Sequence, residues 1–417
     1  MRKRTGDWRD LLSAYALALD AKKIFLGFIA VLGTVLIMVV ATGVYTPAEA
    51  GAGFKTELGE FSLLSHFMRG TGCRMLCRFL VYLNPFHGGL VHFVVSVLIY
   101  GALMAAWSGA AGGISRLAAL EYARDDLPTL DDARAMVRPR RKSYFLAPLM
   151  PLVVIVLLTA LNALGGLVAS IPVIGRILLI PGWPLLLATT TIIAFLAVFG
   201  ILSFGLMMPA VSVEGKDAFE SWSTAYSYVL WGLRRFICYT LLVGVIGVIA
   251  AVVAWALGEL VIYLIYKTVH IGFVHGVDWL SYSIQSDAAE GFRIEVLPAG
   301  TGFNYACSII MVALMLLIRA VPAAYVFSYF FTAGTITYFL MRKDQDNIAI
   351  DEIYEEAAEE EGAEGLQEEA IAEEPEAPEE EGPPGEPEEP EEEAPAAEEE
   401  AEEPDEEEAE DEPEEEQ

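Results

Sequence analysis

The chain has 417 residues, 54% of them hydrophobic, and a formal net charge of −32. That average hides two unlike parts: Asp344 to Gln417 holds 39 Asp and Glu and no Lys or Arg, whereas residues 1–343 carry 19 acids against 26 bases. Ordinary soluble domains are excluded by the apolar body, a disulfide scaffold by only four scattered cysteines, and nucleic-acid binding through the tail by its sign.

The first element is amphipathic. Trp8, Leu11, Leu12, Tyr15, Ala16 and Leu19 recur at helical spacing, while Arg9, Asp10, Ser13 and Asp20 fall elsewhere on the wheel. This pattern predicts a helix over 8–19 on the inner membrane surface, or against a partner helix, ahead of Lys22 and Lys23. No cleavage signal precedes the first apolar run, which is read as retained.

A span needs roughly 20 apolar residues to cross a hydrocarbon core about 30 Å thick. Six runs qualify: Ile24–Tyr45, Leu90–Ala110, Tyr144–Ile171, Leu185–Met208, Phe236–Ile265 and Tyr305–Met341. Pro172–Pro184 is expected to form a short outer turn, because proline inside a helix costs about 3 kcal/mol. With the N-terminus inside, the inner regions hold 18 Lys and Arg and the outer regions 7, which places both termini on the cytoplasmic side. The expected fold is therefore an all-α integral membrane protein. It has an amphipathic element at 1–23, six transmembrane helices within 24–343, and a disordered acidic tail over 344–417.

The outer loop Gly51–Phe86 carries two apolar clusters that suggest interfacial helices. All five histidines fall on the expected outer side, with Cys73 and Cys77 at i, i+4 spacing. Imidazole and thiolate on one side suit a transition metal, and His66, Cys73, Cys77 and His87 are the candidate ligands. No standard metal motif is present, and interfacial side chains in aromatic-rich loops are the plainer reading.

The first inner loop, Ile114–Lys142, reads as two helices about a turn at Asp125–Pro128, the second capped by Thr129 with Asp131 and Asp132 in its first turn. It ends in Arg138, Arg140, Arg141 and Lys142, which are candidate contacts for anionic lipid as well as a plain positive-inside anchor. In the next inner loop, Asp217 and Glu220 form a capping pattern before an aromatic helix, Trp222–Trp231.

Glu259 and Arg319 are ionisable residues inside apolar runs and by default mark a function. Counted from Phe236 and from Met341, both lie roughly 33–35 Å from the inner face, near the outer boundary. An ion pair, or two side chains reaching outward, is expected there, and Pro322 is expected to kink the sixth helix. The tail is Glu, Asp, Ala, Pro and Gly with repeats such as PEEPEEEAP. Such a composition cannot form a packed core, though Asp351–Glu361 is expected to be helical.

Several inner-face stretches carry a resemblance: SAYALALDAKKIFLG, GGISRLAALEYARDD, SYFLAPLMPL, MMPAVSVEGKDAFESWSTAYSYV, and TITYFLMRKDQD followed by DEIYEE. Together they cover about a third of the chain. They resemble a family of uncharacterised multi-pass membrane proteins common in planctomycete-type bacteria. The resemblance implies a bacterial inner membrane and no particular activity.

No catalytic or cofactor motif is present in the sequence. The expected role is that of a non-enzymatic membrane protein that recruits or organises partners at the inner face. Its partners would be the bilayer itself and basic cytoplasmic proteins or divalent cations at the tail. The alternative is a transporter or channel for a solute, for which Asn162 and Thr189–Thr191 are the only mid-depth polar groups. A membrane-embedded enzyme or metal protein comes third.

Overall fold

The computed structural model describes residues 6–44, 90–272, 280–287, 291–298 and 301–354. The fold below is that of the unit Met1–Ala358. In chain order its elements are a 3-10 turn at Trp8–Ser13, α1 (Ala14–Leu17), α2 (Ala21–Val44), α3 (Leu90–Arg124), α4 (Leu130–Val137) and α5 (Arg141–Leu146). There follow α6 (Met150–Ala169), α7 (Ile174–Glu214), α8 (Ala218–Trp231), α9 (Leu233–Gly272), β1 (Leu280–Asp287), β2 (Gly291–Pro298) and α10 (Phe303–Asp346). Six helices among the described residues are long and apolar enough to cross a membrane: α2, α3, α5 with α6, α7, α9 and α10. The chain is thus a multi-pass helical membrane protein.

The helices outrun the bilayer. α9 has 40 residues and α10 has 44, about 60 Å or more at 1.5 Å per residue, twice the hydrocarbon thickness. Likewise α3 does not stop at Ala110 but continues to Arg124. These extensions meet at one end of the bundle and bury most of the core: Leu11, Ala14, Ala18, Ala119, Tyr122, Leu206, Met207, Ala210, Val213, Tyr228, Ile336, Tyr338, Phe339 and Met341 among others. Small residues set the closest approaches. A Cβ on Gly334 would lie 2.6 Å from the Gly205 carbonyl oxygen, and one on Gly27 2.7 Å from that of Ala324.

Outward of this core the helices pair along narrow seams. On α6, Pro151, Ile155, Leu158, Asn162, Gly165 and Ala169 are withdrawn from the surface. On α7, Gly175, Leu179, Gly182, Leu186, Thr189 and Ile193 are withdrawn. Both stripes repeat in steps of three and four, as in an antiparallel coiled coil. This seam corrects the expected turn at Pro172–Pro184. The actual turn is Ser170–Val173, and α7 runs through Pro181, Pro184 and Pro209. Gly175 lets the chain reverse within those few residues, since a Cβ there would lie 2.3 Å from the Val168 carbonyl oxygen. Pro181 and Pro184 point away from the seam, and a freed backbone group inside a packed membrane helix finds other partners.

The N-terminal segment is shorter than a full helix, a 3-10 turn followed by one turn of α-helix. Its Leu11, Ala14 and Ala18 are fully buried, while Trp8, Leu12, Tyr15 and Leu19 stay exposed. The apolar face read from the sequence is therefore two stripes, one on the bundle and one free for the membrane interface. The inner loop follows its capping residues. Thr129 Oγ1 accepts from the Asp132 amide at 3.3 Å and the Asp132 carboxylate accepts from the Thr129 amide at 2.6 Å. These bonds hold the Asp132 carboxyl below the usual carboxylate range. Asp217 Oδ1 accepts from the Glu220 amide at 2.8 Å and starts α8 at Ala218, earlier than Trp222.

Between α9 and α10 the chain forms a two-stranded antiparallel hairpin, with Leu280 opposite Pro298 and Asp287 opposite Gly291. The alternation S-Y-S-I in one strand and R-I-E-V in the other has the period of two that a strand requires. Read from the sequence as a connection between the fifth and sixth spans, this stretch is thus a regular hairpin.

Candidate functional site around the end of α10

α10 ends at Asn347, whose φ of 56° is left-handed and stops the helix. The chain then folds back as an irregular strap, 347–354; of the helix expected over Asp351–Glu361 the first four residues are not helical, and residues 355–361 lie outside the described residues. Ile353 is buried, and the Tyr354 amide donates to the Val213 carbonyl at 2.8 Å. Two arginines from the first inner loop hold the strap down. Arg116 Nη2 donates to the Tyr354 carbonyl at 2.9 Å, and Arg140 Nη2 to the Tyr354 hydroxyl at 2.5 Å. The Arg140 guanidinium also lies 4.4 Å from the Tyr354 ring centre, a cation–π contact. Gly215, at φ 68°, gives the ring its room, because a Cβ there would lie 2.8 Å from it.

Beneath the strap lies a connected polar network. Tyr338 donates to Glu214 Oε1 at 2.5 Å, Arg342 Nε sits 3.3 Å from the same oxygen, and Lys216 pairs with Oε2 at 2.5 Å. Arg342 Nη1 donates to the Glu352 carbonyl at 2.8 Å, linking network and strap. Tyr144 and Ser212 share a hydrogen bond of 2.9 Å, and Arg116 Nη1 donates to the Ser212 carbonyl at 2.9 Å. Tyr228 donates to the Asp346 carboxylate. The N-terminal segment joins in: Lys343 donates to the Gly6 carbonyl at 3.2 Å, and Tyr122 to Asp10 Oδ2 at 2.9 Å. Lys23, fully buried, pairs with Glu121 and donates to the Leu17 carbonyl at 2.9 Å. The charged groups of this network meet opposite charges, carbonyls or, at Asp10 and Asp346, phenol hydroxyls, so it serves as a buried framework more than as an open reaction centre.

Burial, then the bond to Asp346 and the nearby Glu214 charge, raise the Tyr228 phenol well above its ordinary value. The sign follows: the unfolded phenol ionises near pH 10, while the folded one stays neutral. Tyr228 therefore contributes stability in full below about pH 10, and that contribution falls as pH rises beyond it. A thermal-unfolding series from pH 8 to 11 is expected to show a decline above pH 10 that Tyr228→Phe makes shallower.

The candidate residues scatter over this frame. Arg138, Arg141 and Lys142 are exposed and free to meet lipid headgroups. Arg140 is not among them, since its guanidinium turns inward onto Tyr354 and the Gly215 carbonyl. The structure brings Glu259 and Arg319 together in a two-pronged contact, Nε to Oε1 at 2.9 Å and Nη2 to Oε2 at 3.0 Å. Asn162 Oδ1 accepts from the Thr189 hydroxyl at 2.6 Å, inside the α6–α7 seam. One polar pair on a coiled-coil seam fixes register, and the cavity of about 330 Å³ beside it is lined chiefly by Leu161, Leu164, Val168 and Leu178 with Gly165 and Gly182. His66, Cys73, Cys77 and His87 lie outside the described residues, among which no group of three or more potential metal ligands occurs.

Sequence reasoning missed the strap. Its signal was present: Ile350, Ile353 and Tyr354 are the last large apolar residues before a run of acids. Comparison with known families, curated proteins and solved structures gives no match.

Proposed function

We propose that this chain is a non-enzymatic organiser of partners at the inner face of a bacterial cytoplasmic membrane, with both termini in the cytoplasm. One observation carries the reading. The packed core, the polar network and both ends of the described chain gather at a single end of the bundle, the end that holds most Lys and Arg. The strap is held at Tyr354, the last described residue before the acidic run, by Arg116 and Arg140. From there a polyanion reaches basic proteins or divalent cations and is repelled by an anionic leaflet. The transport alternative loses its main support, because Asn162 and Thr189 are bonded to each other on a helix seam.

The strap decides how this is tested. A chain cut at Asp344 would lose Ile353 and Tyr354 and disturb the core, so the informative truncation ends at Tyr354. Full-length and truncated proteins are compared by pull-down from mild detergent with mass spectrometry and metal analysis. Basic partners that disappear with the tail support the organiser. Identical partner sets, or stoichiometric metal in both, would overturn it.

A further inference from the structure

The geometry points to a charge latch, Glu259–Arg319, at the middle of the bilayer, where it fixes the register of α9 against α10. Contacts between helices set the depth. On the inner side, Ile201 of α7 and Phe330 of α10 are the last exposed large apolar side chains of their helices before the packed core. The Phe204 and Phe330 rings, 6.4 Å apart, put these two helices at one level. On the outer side, α3 begins at Leu90. Trp107 stacks 4.0 Å from Phe327, and α3 and α10 run parallel, so Leu90 is level with Ile310. α9 runs antiparallel to α10, as Arg235–Asp344, Tyr329 to the Val243 carbonyl, and Glu259–Arg319 show. That register sets Lys267, whose ammonium lies over the Tyr263 ring, opposite the same level.

The interval from Ile310 to Phe330 is twenty residues, about 30 Å at the helical rise, which matches a hydrocarbon core. Arg319 lies eleven residues, about 16 Å, from its inner edge. The depth read from sequence differs because it was counted from Met341, which belongs to the inner core and not to the membrane face.

At mid-depth a single charge is costly and a paired one is not neutral ground either, because such pairs seldom add stability over apolar substitutes. What they add is a unique alignment. Leucine-rich faces slide past each other with little penalty, whereas two charges have one register. The contact is also close-built: a Cβ on Gly258 would lie 2.9 Å from the Pro322 ring, so both helices approach where the pair forms. Among the described residues Glu259 is buried and meets Arg319 through both carboxylate oxygens. The pair is thus a positioning device for the helices that carry the strap.

Two measurements test this. A bimane on Leu260→Cys, with Cys73, Cys77, Cys238 and Cys307 changed to serine, is read in vesicles of brominated phosphatidylcholine. Strongest quenching by lipid brominated near the chain end is expected, and strongest quenching by lipid brominated near the carbonyls would overturn the depth. Glu259→Gln and Arg319→Gln are each expected to lower the thermal midpoint in detergent, and the exchange Glu259→Arg with Arg319→Glu to restore most of it. Should the single variants fail to fold, the exchange alone decides. An exchanged chain no better than the single variants, or single variants that melt with the parent, would overturn the latch.

Discussion

Glu214→Leu is expected to unfold the inner layer of the bundle. This carboxylate accepts from Tyr338 and is the shared ionic partner of Arg342 and Lys216. Removing it leaves a buried phenol and two cations facing one another in a poorly hydrated site. Breaking one partner out of a buried charged cluster costs about 3–5 kcal/mol, a large part of the total stability of an ordinary domain. Glu214→Gln keeps an oxygen for Tyr338 and is expected to cost roughly half as much, of the order of a charge-assisted hydrogen bond. The measure is the midpoint of thermal unfolding in detergent, read by the loss of helical circular dichroism. A leucine variant that melts with the parent would show that the network is ornamental.

The second large effect is steric. Gly334→Val would place a Cβ 2.6 Å from the Gly205 carbonyl oxygen, and that oxygen belongs to the backbone of α7. No side chain is there to swing aside, so α7 and α10 must part along their length. Overpacking usually costs about 1–3 kcal/mol, and more where the backbone has to yield. The same cassette supplies its own control: Gly244 on α9 has nothing within 4 Å of an added Cβ. Gly244→Ala is expected to stabilise the chain by about 0.4–1 kcal/mol through helix propensity and a less flexible unfolded state. Melting curves of both variants beside the parent decide the matter. If both change stability in the same direction, the close approach at Gly334 is not what binds these helices.

The six spans were legible in the sequence because hydrocarbon demands length and lack of charge, and both are visible in a single chain. Thr129 and Asp217 were legible as caps for a similar reason, since their chemistry is local. Helix ends were harder. The apolar run of α10 passes from exposed to packed side chains after Phe330 without a change of composition, because lipid and a packed interior select the same side chains. This one ambiguity is why the depth counted from Met341 and the depth proposed from the helix contacts differ for Arg319. The prolines of α7 misled differently. Propensity priced Pro181 and Pro184 as helix breakers, and could not know that both would lie off a seam held by Gly175, Gly182 and Asn162. The strap was missed because three apolar residues among acids look like noise until Arg116 and Arg140, more than 200 positions away, are seen to hold them.

The bonds between the two ends of the described chain have a consequence for synthesis. Ser328 donates to the Ala18 carbonyl and Lys343 to the Gly6 carbonyl, contacts spanning 310 and 337 residues. A ribosome delivers the N-terminal segment first and α10 last among the described helices, so Leu11, Ala14 and Ala18 must wait for their partners through the insertion of every intervening span. Closure of contacts so distant along the chain is slow and leaves apolar surface uncovered in the meantime. The early segment therefore needs a temporary shelter, and its exposed apolar stripe of Trp8, Leu12, Tyr15 and Leu19 suits a membrane surface for that purpose. A nascent chain stalled before α10 would be fully inserted and yet unfolded on its inner side, open to the proteases of quality control until the last helix arrives.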